Sequence, residues 1–218
     1  MLEYEPTKRN GGFILWGDYS TLKPIHSLIM DVSQKSPVLN SEGLLPALAY
    51  DIRKAYEGRR EQDKQTVWDD EITVYGVEQV WPTFITQVAL LRTALAFAPF
   101  SKNQHGLTYL IEAFLDDMLR SVFPAQATAI LRNHMDLIGQ QEAQLSPLLG
   151  SRVSYFLELA PAKRRDNLSA IIASMDPLYG VRFGGLSSQN TTNMPHPSEF
   201  EGRSWSDLDL FEQKTIKL

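Results

Sequence analysis

The chain has 218 residues, 43% of them hydrophobic, with a formal net charge of −5 and no cysteine. That length suits one large domain, or a domain with a tail, and the acidity argues against general nucleic-acid binding while leaving room for a local basic patch. The missing cysteines exclude disulfides, zinc–thiolate sites, iron–sulfur clusters and thiol nucleophiles, and they suit a reducing cytoplasm.

The N-terminus, Met1-Leu2-Glu3-Tyr4-Glu5, is acidic and shows no signal peptide. Leu2 to Glu5 alternates as a short strand does. Asn10-Gly11-Gly12 is a strong turn signal, and Phe13-Ile14-Leu15-Trp16 reads as a second strand, so the chain opens on a hairpin. A helix is expected from about Ser20 to Val32, with Leu22, Ile25, Ile29 and Val32 on one face, Asp18 or Ser20 as cap and Pro24 in the first turn. A second helix starts near Ser41, buries Leu45, Leu48, Ala49, Ile52 and Tyr56, and frays at Gly58 into a solvated loop through Glu61 to Gln65. Residues 72–81 alternate β-branched and aromatic side chains and read as a third strand.

The run from Val80 to Phe100 is the centre of the chain. Pro82 fits a first helical turn, and Phe84, Ile85, Val88, Ala89, Leu90, Leu91, Leu95 and Ala96 make the helix apolar almost all round. Such a helix is buried; its length and its Gln87 and Arg92 favour a protein core over a membrane. Further helices are expected over Leu107–Val122, about Gln126 to Ile138, around Val153–Leu157, and around Leu168–Met175 with Asp166 as cap; residues 139–147 are ambiguous. After Gly180 the composition turns polar and glycine-rich, which reads as an extended arm. The expected class is therefore α+β. A small N-terminal antiparallel sheet of about three strands packs with helices, followed by a helical half and a C-terminal tail. Residues 1–180 form the domain and 181–218 the arm.

Three segments together, Trp16-Gly17-Asp18-Tyr19, Ala49 through Glu61, and Tyr75-Gly76 through Trp81-Pro82 to Leu95, resemble an uncharacterised bacterial family, a domain of unknown function. The resemblance reaches from the N-terminus to about residue 120. It implies a bacterial, cytoplasmic protein and carries over no activity, cofactor or catalytic residue.

No catalytic constellation stands out. His26, His105, His134 and His196 are far apart in sequence, and none has a partner at metal-ligand spacing. Adjacent Asp116 and Asp117 point apart on a helix. Asp69-Asp70-Glu71, with Glu78 on the following strand, offers residues for a metal-dependent nuclease, but no lysine follows. Neither a phosphate loop nor a nucleophile elbow is present. Arg92, the one charge in the central helix, needs a partner; Glu78, Glu112 and Asp116 are candidates, and Arg92 with Glu78 is a candidate buried polar site. Arg53, Lys54, Arg59 and Arg60, beside Tyr50 and Tyr56, are candidate phosphate contacts that Asp51, Glu57 and Glu61 can neutralise. Lys163-Arg164-Arg165 is a second basic run, expected to face solvent.

Trp205, Leu208, Leu210 and Phe211 form an apolar segment in an acidic setting, and Asp207-Leu-Asp-Leu-Phe211 resembles the peptide that docks on bacterial sliding clamps. The expected function is a non-catalytic interaction or assembly subunit with a protein partner or a second copy and no cofactor. A metal-dependent nuclease and a nucleic-acid-binding accessory protein are the alternatives. No membrane association is expected.

Overall fold

The computed structural model describes residues 2–67, 69–185 and 194–204. The opening hairpin pairs β1 (Leu2–Pro6) with β2 (Gly12–Asp18), Tyr4 opposite Leu15. Asn10, which tolerates the left-handed region, turns the chain at φ +57°. α1 (Tyr19–Lys35) starts where the Asp18 carboxylate accepts the Thr21 N–H at 2.8 Å. α2 (Leu44–Lys54) runs into a π-helical turn (Ala55–Arg59), closed by Gly58 at φ +77°. β3 (Glu61–Val67) and β4 (Asp70–Val80) follow, and all pairings are antiparallel in the order β1-β2-β4-β3.

The sheet thus has four strands, where about three were expected. Glu61 to Gln65, read as a solvated loop, is an edge strand with Glu61 opposite Gly76 and Gln65 opposite Ile72. Its side chains are uniformly polar, so no alternation marks it; backbone pairing to β4 makes the strand. Polar, charged residues also suit an edge, where they discourage further pairing.

One sheet face is the core face. Phe13 stacks 4.5 Å from Trp81 and 5.1 Å from Phe84, and Leu15 and Val77 are buried with them. Both rings belong to α3 (Trp81–Ala94), which has Pro82 in its first turn and buries every residue except Arg92. The all-round apolar pattern is therefore realised in a protein core. The helix stops at Ala94, before the run's last residues.

The second half is helical: α4 (Lys102–Val122), α5 (Ala127–Leu137), α6 (Glu142–Glu158), α7 (Pro161–Ala173) and the short α8 (Tyr179–Gly185). Among the described residues no helix is long and apolar enough to cross a membrane. α4 begins earlier than its apolar face suggests, because Ser101 and Gln104 form a reciprocal capping box. α6 absorbs the ambiguous residues 142–147 and carries Pro147 inside it. α7 starts at Pro161 with Ala160 before it, so Asp166 is mid-helix and not its cap.

The expected boundary at 180/181 falls within α8, and part of the arm is docked. Phe200, in a 3-10 turn (Pro197–Phe200), is buried 5.4 Å from the Tyr155 ring with the Arg152 guanidinium 4.1 Å from its centre. Tyr179 Oη donates to the Pro195 carbonyl at 2.6 Å. An aromatic side chain buries enough area to hold a polar segment down.

Buried polar side chains tie these pieces together. Arg164, read as solvent-facing, is buried and donates to the carbonyls of Leu159 (3.0 Å), Arg9 (3.2 Å) and Leu157, which joins the end of α6 to the first hairpin. Arg152 donates to the Ser174 carbonyl from Nε (3.3 Å) and Nη2 (3.1 Å). Gln87 Nε2 donates to the Leu44 carbonyl at 2.9 Å. Glu142 accepts the Asn40 and Leu44 N–H groups and so holds the start of α2.

Candidate functional site

Two faces of opposite charge concentrate the exposed charged and aromatic groups. The first is built on α1, α2 and the π-helical turn. α2 ends in Arg53 and Lys54, both set against the ring of Tyr50, at 5.5 and 5.0 Å from its centre. The π-helical turn shifts the register by one residue, a device frequent at functional sites, and it aims Tyr56 back at α1. There Tyr56 meets Tyr19 edge-on at 5.4 Å, Lys23 lies 5.3 Å from its ring centre, and its hydroxyl is 3.4 Å from His26 Nδ1. Tyr19 and Tyr50 are 53% and 47% exposed, so about half of each residue faces solvent.

The electrostatics of this face are uneven. Partial burial, and then the charges of Lys23 and Arg53, hold the His26 imidazole below its usual range, against the opposing Glu57. Glu57 is shared by Arg53 (3.8 Å) and Arg59 (3.7 Å). Arg60 is committed to Asp51 at 2.5 Å, and burial raises the Asp51 carboxyl although Arg60 pulls the other way. Of the expected phosphate contacts, Arg53, Lys54 and Arg59 therefore remain on this face, while Arg60 is largely structural. Lys23, His26 and Tyr19 of α1 are the members that sequence reading missed. Nothing in the chain's order places them beside α2; only the packing of α1 on α2 does.

The second face is the side of the sheet away from α1 and α3. Register puts Glu3, Trp16, Gly76 and Glu61 in one row, and Glu5, Ile14 and Glu78 in the next. Asp63 lies opposite Val74 in a third. A Cβ on Gly76 would come within 2.9 Å of Ile14 Cγ2 and of the Trp16 ring, so the glycine makes room for the indole to lie across the sheet. Gln65 Nε2 donates to Glu3 Oε2 at 3.0 Å although β3 and β1 are not neighbours, so the sheet curls over this side. The result is an apolar strip, Val74 buried under the curl and Ile14 and Trp16 partly buried, bordered by the exposed carboxylates of Glu5, Glu61, Asp63 and Glu78. Partial burial and repulsion from Glu61 raise the Glu78 carboxyl, opposed by Arg60.

Arg92 and Glu78 do not share a site: Arg92 reaches the surface beside Glu112 (Nε to Oε1, 3.6 Å) and lies 4.4 Å from the Tyr109 ring centre. Burial raises the Glu112 carboxyl, and Arg92 opposes it. Glu71 pairs with Lys64, and it stands on the same strand as Glu78 but about 23 Å away at the usual rise, too far to share an ion. Among the described residues no group of three or more histidine, aspartate or glutamate side chains is placed to hold a metal. An open groove of about 830 Å³ runs between residues 33–41 and the start of α6. Its one titratable lining residue, Glu142, has both carboxylate oxygens on backbone N–H groups. Trp205, Leu208, Leu210 and Phe211 lie outside the described residues; the chain before them reaches Ser204 alongside α6, where Arg203 pairs with Glu158.

A family described as a domain of unknown function, DUF6904, matches residues 2–180. The match passes residue 120, where the sequence resemblance was expected to end, and takes in α4 to α7. No curated protein and no solved structure matches the chain.

Proposed function

Because the chain belongs to this family, the domain of unknown function DUF6904, whose description assigns no activity, we propose from its surfaces that it is a non-catalytic interaction subunit of a larger assembly. The observation that supports this is the segregation of its exposed groups. Cations and half-exposed tyrosines gather on the α1–α2 face, and exposed carboxylates gather around Ile14 and Trp16 on the sheet face away from α3. Aromatic and arginine side chains are the groups that dominate binding energy at protein interfaces. Meanwhile the buried charged groups Arg152, Arg164 and Glu142 are spent on backbone partners inside the fold. A bacterial, cytoplasmic setting, and docking through Trp205 to Phe211, belong to the same proposal.

The competing enzymatic reading is tested directly. The full chain is incubated with single- and double-stranded DNA and RNA in magnesium or manganese. No cleavage is expected. Metal-dependent cleavage that disappears in Glu78→Gln would overturn the non-catalytic reading.

A second reading follows from Tyr19 and Tyr50 standing half-exposed among Lys23, Arg53 and Lys54, the mixture that single-stranded nucleic acid uses for stacking and phosphate contact. It expects oligonucleotide binding that weakens steeply with salt and is lost in the Arg53→Glu, Lys54→Glu variant. An affinity unchanged by that reversal would remove it.

A further inference from the structure

We infer that the α1–α2 face of one copy of the chain docks on the acidic sheet face of a second copy. This rests on the interaction-subunit reading and names the partner. The two surfaces are complementary in charge. One presents Lys23, Arg53 and Lys54; the other presents Glu5, Glu61, Asp63 and Glu78. They are also complementary in apolar content, since half-exposed Tyr19 and Tyr50 face the partly buried Ile14 and Trp16. Tyrosine and tryptophan supply contact area at low entropic cost, and the charges around them supply rate and register.

Two further observations favour a protein with discrete carboxylates over a nucleic acid. The Tyr50 ring is already approached by Arg53 and Lys54, and the Tyr56 ring by Lys23, which leaves less ring for base stacking. Glu57 sits between Arg53 and Arg59 and would repel a continuous phosphate chain, as would the net charge of −5. A partner whose carboxylates stand in rows a strand apart places negative charge beside the lysines without running it past Glu57.

Because the two surfaces are different patches, the contact is heterologous. It does not close after two copies; each copy keeps one free face, and rings or open chains result. Charged contacts at an exposed interface are screened by salt, so the association is strongest at low ionic strength.

The test uses sedimentation velocity of the full-length protein at about 50 mM and about 500 mM salt. The wild type is expected to form species larger than a dimer at low salt and to dissociate at high salt. Two variants each disable one face: Arg53→Glu with Lys54→Glu, and Glu5→Lys with Glu78→Lys. Each alone is expected to self-associate at least tenfold more weakly. Mixed, each contributes the face the other lacks. The intact sheet face of one variant binds the intact α1–α2 face of the other, and the two reversed faces are again opposite in charge, so the mixture is expected to recover association that neither variant shows alone. Circular dichroism and Tm check that both variants are folded; should either fail, Lys23→Glu and Glu61→Lys replace them. A wild type that stays monomeric at both salt concentrations overturns the inference. So does a mixture of folded variants that recovers no association. Loss of oligonucleotide binding by the Arg53/Lys54 variant, with the wild-type mass monomeric, assigns the face to nucleic acid instead. Failure of the underlying non-catalytic reading would show separately, as metal-dependent turnover.

Discussion

Replacing Glu142 by alanine is expected to cost about 3 kcal/mol of stability, which for a chain of this size lowers Tm by roughly 10 °C. The residue before α2 is Gly43, which has no side chain to accept the helix's free N–H groups. The acceptor comes instead from the first turn of α6. The buried Glu142 carboxylate accepts the Asn40 N–H at 2.6 Å through one oxygen and the Leu44 N–H through the other. It lies so close to Gly43 that an added Cβ would stand 2.0 Å from Oε1. Truncation therefore leaves two backbone donors without an acceptor, at about 1–3 kcal/mol each, less what entering water returns. Urea unfolding followed by circular dichroism measures the loss. A cost below about 1 kcal/mol would show that water replaces the carboxylate fully. The contact also sets where α2 begins, and with it the placement of Tyr50, Arg53 and Lys54. Binding through that face is expected to weaken in the same variant at temperatures where it is still folded.

The second large effect is on pH dependence. His134 of α5 is buried near Ile85 of α3 and Asp116 of α4, and its Nδ1 has no hydrogen-bond partner among the described residues. Burial pushes its pKa down from 6.5 to about 4; a hydrogen bond with the Ile85 backbone and the charge of Asp116 oppose the shift without reversing it. Above pH 6.5 the imidazole is neutral in both folded and unfolded chains, and no stability is lost. Between pH 6.5 and 4 the unfolded chain binds a proton that the folded chain refuses, so stability falls as pH falls. The loss is about 1.4 kcal/mol per unit and about 3 kcal/mol in all, and it levels off below pH 4.

Asp51, Glu78 and Glu112 act in the opposite sense, because their folded pKa values are raised. They bind protons more readily when folded, and they offset part of the loss in the carboxylate range. The His134 effect is therefore cleanest between pH 7 and 5, where about 2 kcal/mol should disappear. In His134→Gln the same comparison should show a clearly smaller fall, the remainder coming from His26, whose imidazole is also held below its usual range. An equal pH dependence in wild type and variant would place the effect elsewhere.

The central helix was legible because no periodicity had to be resolved: a run apolar on every side has only an interior to go to, and Pro82 marked its start. The first hairpin was legible from Asn10-Gly11-Gly12, and the amphipathic α1, α2, α4 and α5 from their buried stripes. Their exact starts were harder, since caps such as Ser101 with Gln104 are short polar signals that resemble any loop. β3 was not legible at all. Its residues carry no apolar alternation, and a strand of that kind exists only by hydrogen bonding to a neighbour. The start of α7 at Pro161 was likewise hidden by Asp166, a good cap by residue type that has no free helix end to serve.

For the candidate faces the division is sharper. Sequence alone determined which side chains are cationic, acidic and aromatic, and it placed Tyr50, Arg53, Lys54 and Tyr56 together because three or four residues make one helical turn. Tertiary structure decided the rest. It brought Lys23, His26 and Tyr19 from α1 onto that row, committed Arg60 to Asp51, and gave Arg92 to Glu112 rather than Glu78. It also lined up Glu3, Glu5, Glu61 and Glu78 around Trp16 across strands widely separated in the chain. Local spacing fixes neighbours only within one element, through the helical turn or the strand alternation. Neighbours on different elements depend on which faces must be buried against each other, and that choice is made by the whole core at once.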